Sequence, residues 1–304
     1  MAQARSEATR MNNDAALSID GISIAKPGRI VYPGTAVTRG DVARYYQAVA
    51  PRLLPEIAGR PLSLLRCPDG VGGEHFFQRH PGKGVGEHVR TVMLEEKSGE
   101  PAPYLCIDDL RGLLELVRIG TIELHVWGSR ADAPERPDRL VLDLDPGEGV
   151  AWPEVIAAAR EIRGELRRRG LRSFVRLTGG KGLHVAAPFA AGPGWGQVKD
   201  FCEGIARGLA ERRPDRYVAS APKRLRPGHI FIDWLRNYRS ATSIANWSLR
   251  ARAGAPVAMP LRWEELAATR GGNHYDLRGA LRRDARLRGD PWPEFASLRQ
   301  RLPD

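Results

Sequence analysis

RLVLDLDPGEG, residues 139–149, sets Asp143 and Asp145 into an apolar run that Pro146 and Gly147 close at once. The run reads as a strand. Side chains of a strand alternate faces, so the two carboxylates share one side and Leu142 and Leu144 share the other. Two like charges held together need a cation or a set of donors between them, or one of them must shift its pKa. Working outward, residues 151–171 have the apolar spacing of a helix. Residues 172–189, RSFVRLTGGKGLHVAAPF, read as strand, tight turn and strand; residues 195–214 as a second helix; HIFIDWL, residues 229–235, as a further strand. Helix and strand alternate around one hairpin, which predicts an α/β (α+β) fold with a mixed central β-sheet flanked by helices.

The first half has another rhythm. Residues 17–34 alternate apolar and polar residues between Pro and Gly and predict short strands, followed by a Thr-capped helix over residues 38–57. Strand-like pieces follow at residues 61–67, 74–80 and 89–94, then a short helix within residues 108–120 and a strand, TIELHVWG, at residues 121–128. Residues 1–16 are polar and rich in small residues and read as a disordered tail. The C-terminal stretch, residues 276–304, reads as helical and basic. We divide residues 17–304 into an N-terminal, β-rich part (17–120) and a second part (121–304).

Of 304 residues, 42% are hydrophobic and 27% charged, a globular composition, and 47 Lys+Arg against 36 Asp+Glu give a net charge of +11. Such a surface field favours polyanions, although composition alone does not separate nucleic acid from an anionic membrane. No apolar run approaches the ~20 residues of a membrane span. The three cysteines lie far apart without a C-x-x-C pair, which argues against a disulfide framework or a structural zinc site and for a reducing cytosol.

Asp233 is a third acid at the end of an apolar strand, and neighbouring strands of one sheet would bring it beside Asp143 and Asp145. Three carboxylates without Cys or paired His suit hard cations such as Mg²⁺ or Mn²⁺; solvated strand-end acids are the bland alternative. In the turn Thr178–Gly179–Gly180–Lys181–Gly182, ahead of His184, backbone N–H groups could converge on an anion, with a hydroxyl and a cation at hand. It lacks the P-loop spacing, and a plain glycine-rich hairpin remains the alternative. His125 adds an imidazole on an interior strand. Arg226, Arg250 and Arg252 offer guanidinium forks suited to phosphate. Phe76 and Phe77 sit between basic residues, where one ring would enter the core and the other remain free to stack on an unpaired base.

The segments LVLDLDPGEGVAW, TGGKGLHVAAPF, IFIDWLRNYRSATSIANWSLRARAG, LLRCPDGVGGEHFFQRH and IELHVWG resemble, in order, the polymerase domain of bacterial ATP-dependent DNA ligase D, in the archaeo-eukaryotic primase superfamily. The resemblance runs from about residue 20 to the end. It implies a primase-like catalytic core with a smaller N-terminal subdomain that binds DNA ends. The implied activity is template-dependent nucleotidyl transfer, preferring ribonucleotides, at double-strand-break ends and gaps in non-homologous end joining. By resemblance, Asp143, Asp145 and Asp233 match the carboxylates of a two-metal Mn²⁺ or Mg²⁺ site. His125, Thr178, Lys181, His184 and Arg250 match the contacts to an incoming NTP or dNTP, with Arg226 and Arg252 beside them. Phe77 matches the template-stacking ring, with Phe76 next to it, and Arg29 and Arg39 match the pair that grips a 5′-phosphate, here Arg where Lys is common. SIANWSLRA stands where AVAPYSVRA is more typical. The implied partners are DNA ends with gaps or overhangs, Ku and an ATP-dependent ligase module, at the bacterial nucleoid. Two other readings are a primase that starts primers de novo and a non-catalytic module that bridges DNA ends; clustered acids facing DNA argue against the latter.

Overall fold

The computed structural model describes residues 15–96 and 98–303, so residues 1–14 of the expected tail lie outside the described residues. In the N-terminal half, β1 (Leu17–Ile19) pairs with β2 (Ile22–Ile24), and β3 (Ile30–Tyr32) with β4 (Val37–Thr38). Helix α1 (Arg39–Ile57) starts as the sequence predicts. The Thr38 hydroxyl accepts the Asp41 N–H at 3.1 Å and the Asp41 carboxylate accepts the Thr38 N–H at 2.9 Å, so two otherwise orphaned donors are satisfied reciprocally. Strands β5 (Leu62–Arg66), β6 (Phe76–Gln78), β7 (Arg90–Glu95) and β8 (Pro101–Cys106) precede helix α2 (Leu110–Arg118), capped by Asp109, and strand β9 (Thr121–Trp127). The second half contributes β10 (Arg139–Pro146), α3 (Trp152–Arg168), β11 (Phe174–Leu177), β12 (Leu183–Pro188) and α4 (Trp195–Arg212). It continues with β13 (Tyr217–Val218), β14 (Ile230–Asp233), β15 (Thr242–Ile244), β16 (Met259–Leu261) and α5 (Leu277–Asp284).

The mixed α/β fold is as expected, built on two six-stranded sheets. The first runs β13-β14-β10-β12-β11-β16 and is antiparallel except between β13 and β14. The second runs β15-β9-β5-β8-β7, with β6 on β5. Strand β9, which opens the second part in the sequence reading, therefore pairs with β5 of the first part, and β15 joins it from far along the chain. Strand β8 has no counterpart in the sequence reading.

The two faces of the first sheet differ in chemistry. Leu140, Leu142 and Leu144 of β10 are fully buried, as are Leu183, Val185 and Ala187 of β12. Helices α3 and α4 pack on β10, and each of these Leu and Val side chains contributes about 1.5–3 kcal/mol by leaving water. The opposite face carries Asp143, Asp145, His184 and Arg176. Helix α1 fastens the two halves together: the Tyr45 hydroxyl donates to the Trp247 carbonyl (2.7 Å) and the Tyr46 hydroxyl to the Ile122 carbonyl (2.5 Å). The C-terminal stretch departs from expectation. Only Leu277–Asp284 is α-helical, since Gly289, Pro291 and Pro293 cannot sustain a helix. Trp292 and Phe295 instead seal the other end of the polar face, against Val141, Phe174 and Ala186.

Candidate active site

Strand register assembles the site. Asp143 lies directly opposite Asp233 of β14 on one side and His184 of β12 on the other, and His184 lies opposite Arg176 of β11. Four side chains, Asp233, Asp143, His184 and Arg176, thus form one row across four adjacent strands, and Asp145 sits two residues along on the same face. A cavity of about 340 Å³ opens over this face. Its lining includes His125, Asp145, Lys181, Arg236, Arg250 and Arg252, and also Asp143, Thr178 and His184. Eight of the residues singled out from the sequence therefore meet in one place. Asp233 adjoins them through Asp143.

Hydrogen bonds order the row. The Arg176 guanidinium, which only donates, gives its Nε–H to His184 Nδ1 at 3.0 Å. Neutral His184 must then carry its proton on Nε2, which faces Asp143 Oδ2 at 3.3 Å. Burial pushes the His184 imidazole down to about 4, so it is neutral at pH 7. Burial opposes ionisation of Asp143, yet His184 and Arg236 beside it hold the carboxyl down to about 2. The other two acids shift the opposite way: burial and the Asp143 charge raise both Asp145 and Asp233, against the pull of nearby arginines. On the cavity's second wall, from the other sheet, His125 Nε2 lies 2.8 Å from Glu123 Oε2, and Glu123 also pairs with Arg250 Nε at 3.1 Å. Burial works against the Glu123 charge, but His125 and Arg250 bring its pKa down to about 2.

The glycine turn differs from expectation. The N–H groups of Thr178, Gly179 and Gly180 already donate within the protein, to the carbonyls of Gly182 (3.1 Å) and Gly272 (2.9 Å) and to Thr178 Oγ1 (3.2 Å). The Thr178 hydroxyl in turn donates to the Gly182 carbonyl at 3.1 Å. These groups hold the turn's shape instead of facing an anion. The glycines are needed for close approach: a Cβ on Gly182 would lie 1.9 Å from the Leu144 carbonyl oxygen, and Gly179 combines φ +68° with a Cβ position 2.6 Å from Arg250 Cγ. The side chains of Lys181, Arg250 and Arg252 bring cationic charge to the cavity.

Arg226 lies outside the cavity lining and donates to Asp145 Oδ2 at 2.6 Å, with its guanidinium 4.2 Å from the Phe231 ring centroid. Phe76 and Phe77 are both exposed, at 45% and 65%, because β6 hangs from the edge of β5 over no core; the expected inward ring does not exist. Phe77 meets His125 edge-on at 5.6 Å, and Arg66 covers Phe76 at 5.2 Å. Arg29 and Arg39 lie apart from the cavity but near one another. Arg29 pairs with Asp69 at 2.7 Å, Arg39 donates to the Arg118 carbonyl at 2.8 Å, and burial together with the Arg29 charge lowers the Arg39 pKa.

Sequence reasoning missed Arg236, Arg176 and Glu123. Arg236 bridges Asp143 and Asp233, with its Nε 3.3 Å from an oxygen of each. Its spacing of three from Asp233 is the one signal in the sequence that could have found it. The donor set suits a hard divalent cation: three carboxylates on one face, two of them made reluctant to ionise by the Asp143 charge and burial, are what such an ion relieves. Among the described residues, no three His, Cys, Asp or Glu side chains already stand in a metal-holding cluster.

The LigD primase-polymerase domain family profile matches residues 38–292. The multifunctional non-homologous end joining protein LigD of Pseudomonas aeruginosa is 38% identical over 283 residues, which are 93% of this chain and 34% of that protein. LigD of Mycobacterium tuberculosis strain H37Rv is 33% identical over 253 residues, 81% of this chain and 33% of that protein. The chain thus spans about a third of the length of these relatives. Among solved structures, the polymerase domain of Mycobacterium tuberculosis ligase D in complex with DNA superposes with a TM-score of 0.84 at 30% identity. That match covers 91% of this chain and 98% of the other.

Proposed function

The chain belongs to the LigD primase-polymerase domain family, and on that premise we propose that it is a template-dependent nucleotidyltransferase. It transfers a nucleoside monophosphate from a triphosphate to a 3′-hydroxyl at a broken or gapped DNA end, releases pyrophosphate, and prefers ribonucleotides. One observation carries the reading: Asp143 and Asp145, with Asp233 opposite Asp143 on the next strand, face Lys181, Arg250 and Arg252 across a single cavity. A triphosphate needs cations at its oxygens, and clustered acids beside those cations make sense where metal ions mediate between acid and phosphate. A pure end-bridging module gains nothing from the acids.

In this reading Asp143, Asp145 and Asp233 hold Mn²⁺ or Mg²⁺, which when bound supplies charge neutralisation and polarises the reacting oxygens. Lys181 and Arg252 grip the triphosphate, and Arg250, anchored to Glu123 and the Thr178 carbonyl, offers its remaining donors from a fixed position. His184, neutral and oriented by Arg176, presents its Nε2–H toward Asp143 and keeps that carboxylate in place as charge develops. Exposed Phe77, against His125, stacks on a template base next to the nucleotide. Arg29 and Arg39, two guanidiniums near one another, bind the downstream 5′-phosphate. End joining is the role that the names of the relatives carry, and Ku and a ligase module are the partners that the family resemblance implies.

Primer extension on 5′-phosphorylated gapped DNA with Mn²⁺ tests class and substrate together. Extension is expected with NTP at higher kcat/KM than with dNTP. No extension with either overturns the reading, and equal kcat/KM overturns the sugar preference.

A further inference from the structure

A second cavity lies behind the first. Two segments form the wall between them, residues 250–257 and 271–276, joined by hydrogen bonds from Arg250 N to the Pro256 carbonyl (2.8 Å) and from Val257 N to the Tyr275 carbonyl (2.9 Å). The wall is thin. Gly179 N donates to the Gly272 carbonyl, and a Cβ on Gly272 would lie 2.6 Å from the Gly182 oxygen. Arg250 and Arg252 face the acids, whereas Ala253, Gly254 and Pro256 line the second cavity, of about 880 Å³.

That cavity is strongly cationic. Arg262, Arg282, Arg283, Arg286 and Arg288 line it, against Glu265 and Asp276. Arg283 neutralises Glu265 through two bonds of 2.7 Å, and Asp276 caps α5 by accepting the Gly279 N–H at 2.6 Å. The side chains of Arg282, Arg286 and Arg288 have no ion-pair partner among the described residues, and Arg262 makes no close pair, although its charge acts on Glu265. Arg282, in the last turn of α5, and Arg286, just past its end, both line the cavity, and an anion between or beside two such like charges relieves their repulsion. The four come from the residue after β16, from α5 and from the segment after it, and they line a cavity of about 880 Å³, far more room than one small anion fills. Such a distribution fits a chain of phosphates better than a single ion.

We propose that this cavity is a second polyanion subsite, which takes the phosphodiester backbone of the single-stranded segment of the same DNA whose end enters the first cavity. The proposal rests on the reading of function given above. Each guanidinium neutralises about one phosphate and releases its counterions. The subsite therefore lengthens the DNA footprint without touching the reacting nucleotide.

The test is fluorescence anisotropy over a salt series, with gapped DNA carrying a long or a short single-stranded overhang, on the whole chain and on Arg282→Gln/Arg286→Gln. Both side chains are exposed, so the variant keeps its fold. Affinity for the long overhang should fall on the order of tenfold near physiological salt. The slope of log K against log salt should flatten by about 1.4, two contacts at ~0.7 each for a single strand. Binding of the short-overhang DNA and kcat on it should not change, and Arg282→Lys/Arg286→Lys should recover most of the loss. Equal slopes for the double Gln variant and the unaltered chain overturn the subsite. So does a loss confined to inorganic tripolyphosphate with long-overhang binding intact, which would mark a small-anion site. Failure of the unaltered chain to extend gapped DNA would overturn the functional reading instead, so the two failures are distinguishable.

Discussion

Arg176 is 1% exposed and ties the first sheet to the rest of the molecule, so Arg176→Met should damage both stability and the candidate site. Its guanidinium donates to Glu56 at 2.8 Å, His184 Nδ1 at 3.0 Å, Ser243 Oγ at 3.1 Å and Asn246 Oδ1 at 3.2 Å. Without it, buried Glu56 keeps only the Asn246 N–H at 2.6 Å and a longer approach from Arg139 at 3.5 Å. Breaking a buried pair from one side costs about 3–5 kcal/mol, because a charge stays buried without its partner. Removing that charge as well, in Glu56→Gln/Arg176→Met, should cost less than the sum of the two single changes, with a coupling of roughly 1–3 kcal/mol. Urea denaturation of the four proteins of the cycle measures both quantities. The His184 tautomer, read from ¹⁵N chemical shifts, should change from pure Nε2–H to a mixture in Arg176→Met. A loss below about 1 kcal/mol, or zero coupling with an unchanged tautomer, would refute the view that this row is held together by Arg176.

Asp143→Ala or Asp145→Ala should abolish nucleotide addition while leaving DNA affinity equal or higher, since the acids otherwise repel phosphate; extension near the unaltered rate in either variant sinks the metal-holding role. Arg29→Ala/Arg39→Ala should weaken binding to 5′-phosphorylated gaps by roughly 3 kcal/mol, on the order of a hundredfold, and far less to 5′-hydroxyl gaps. An equal loss on both in anisotropy would leave the pair as general backbone contacts. Stability should also fall with acid in two stages. His184, pushed down to about 4 from an ordinary 6.5, binds its proton first in the unfolded chain, so stability declines as pH drops from about 6.5 to 4. Asp143, held at about 2, stays ionised in the fold where the unfolded chain is protonated, which adds a decline from about 4 to 2. Urea midpoints in chelator should show both stages, and His184→Gln should flatten the first; a midpoint independent of pH over that first window contradicts the assignment.

Much of the site was legible because strand alternation is local. The period of two in RLVLDLD by itself puts Asp143 and Asp145 on one face and the leucines on the other, and the apolar run before Asp233 marks it as a third acid of the same kind. Capping residues at Thr38 and Asp109 likewise mark where helices begin, through bonds that span three residues. Pairing between strands has no such local cause. The acid pattern suggested that Asp233 would come beside Asp143, but nothing local says that β14 and β12 will be the flanking strands, or that His184 and Arg176 will share its row. Nor does the chain announce that β9 and β15 form a facing sheet, which brings His125 and Glu123 to Arg250 from more than a hundred residues away. The glycine turn shows the same limit. Its composition suits an anion cradle, but whether an N–H faces solvent or a carbonyl depends on where Gly272 arrives, and only tertiary packing decides that. Residue types and their faces were set by sequence through short-range sterics and hydrogen bonding; which of those faces meet, and which donors remain free when they do, was set by long-range closure of the chain.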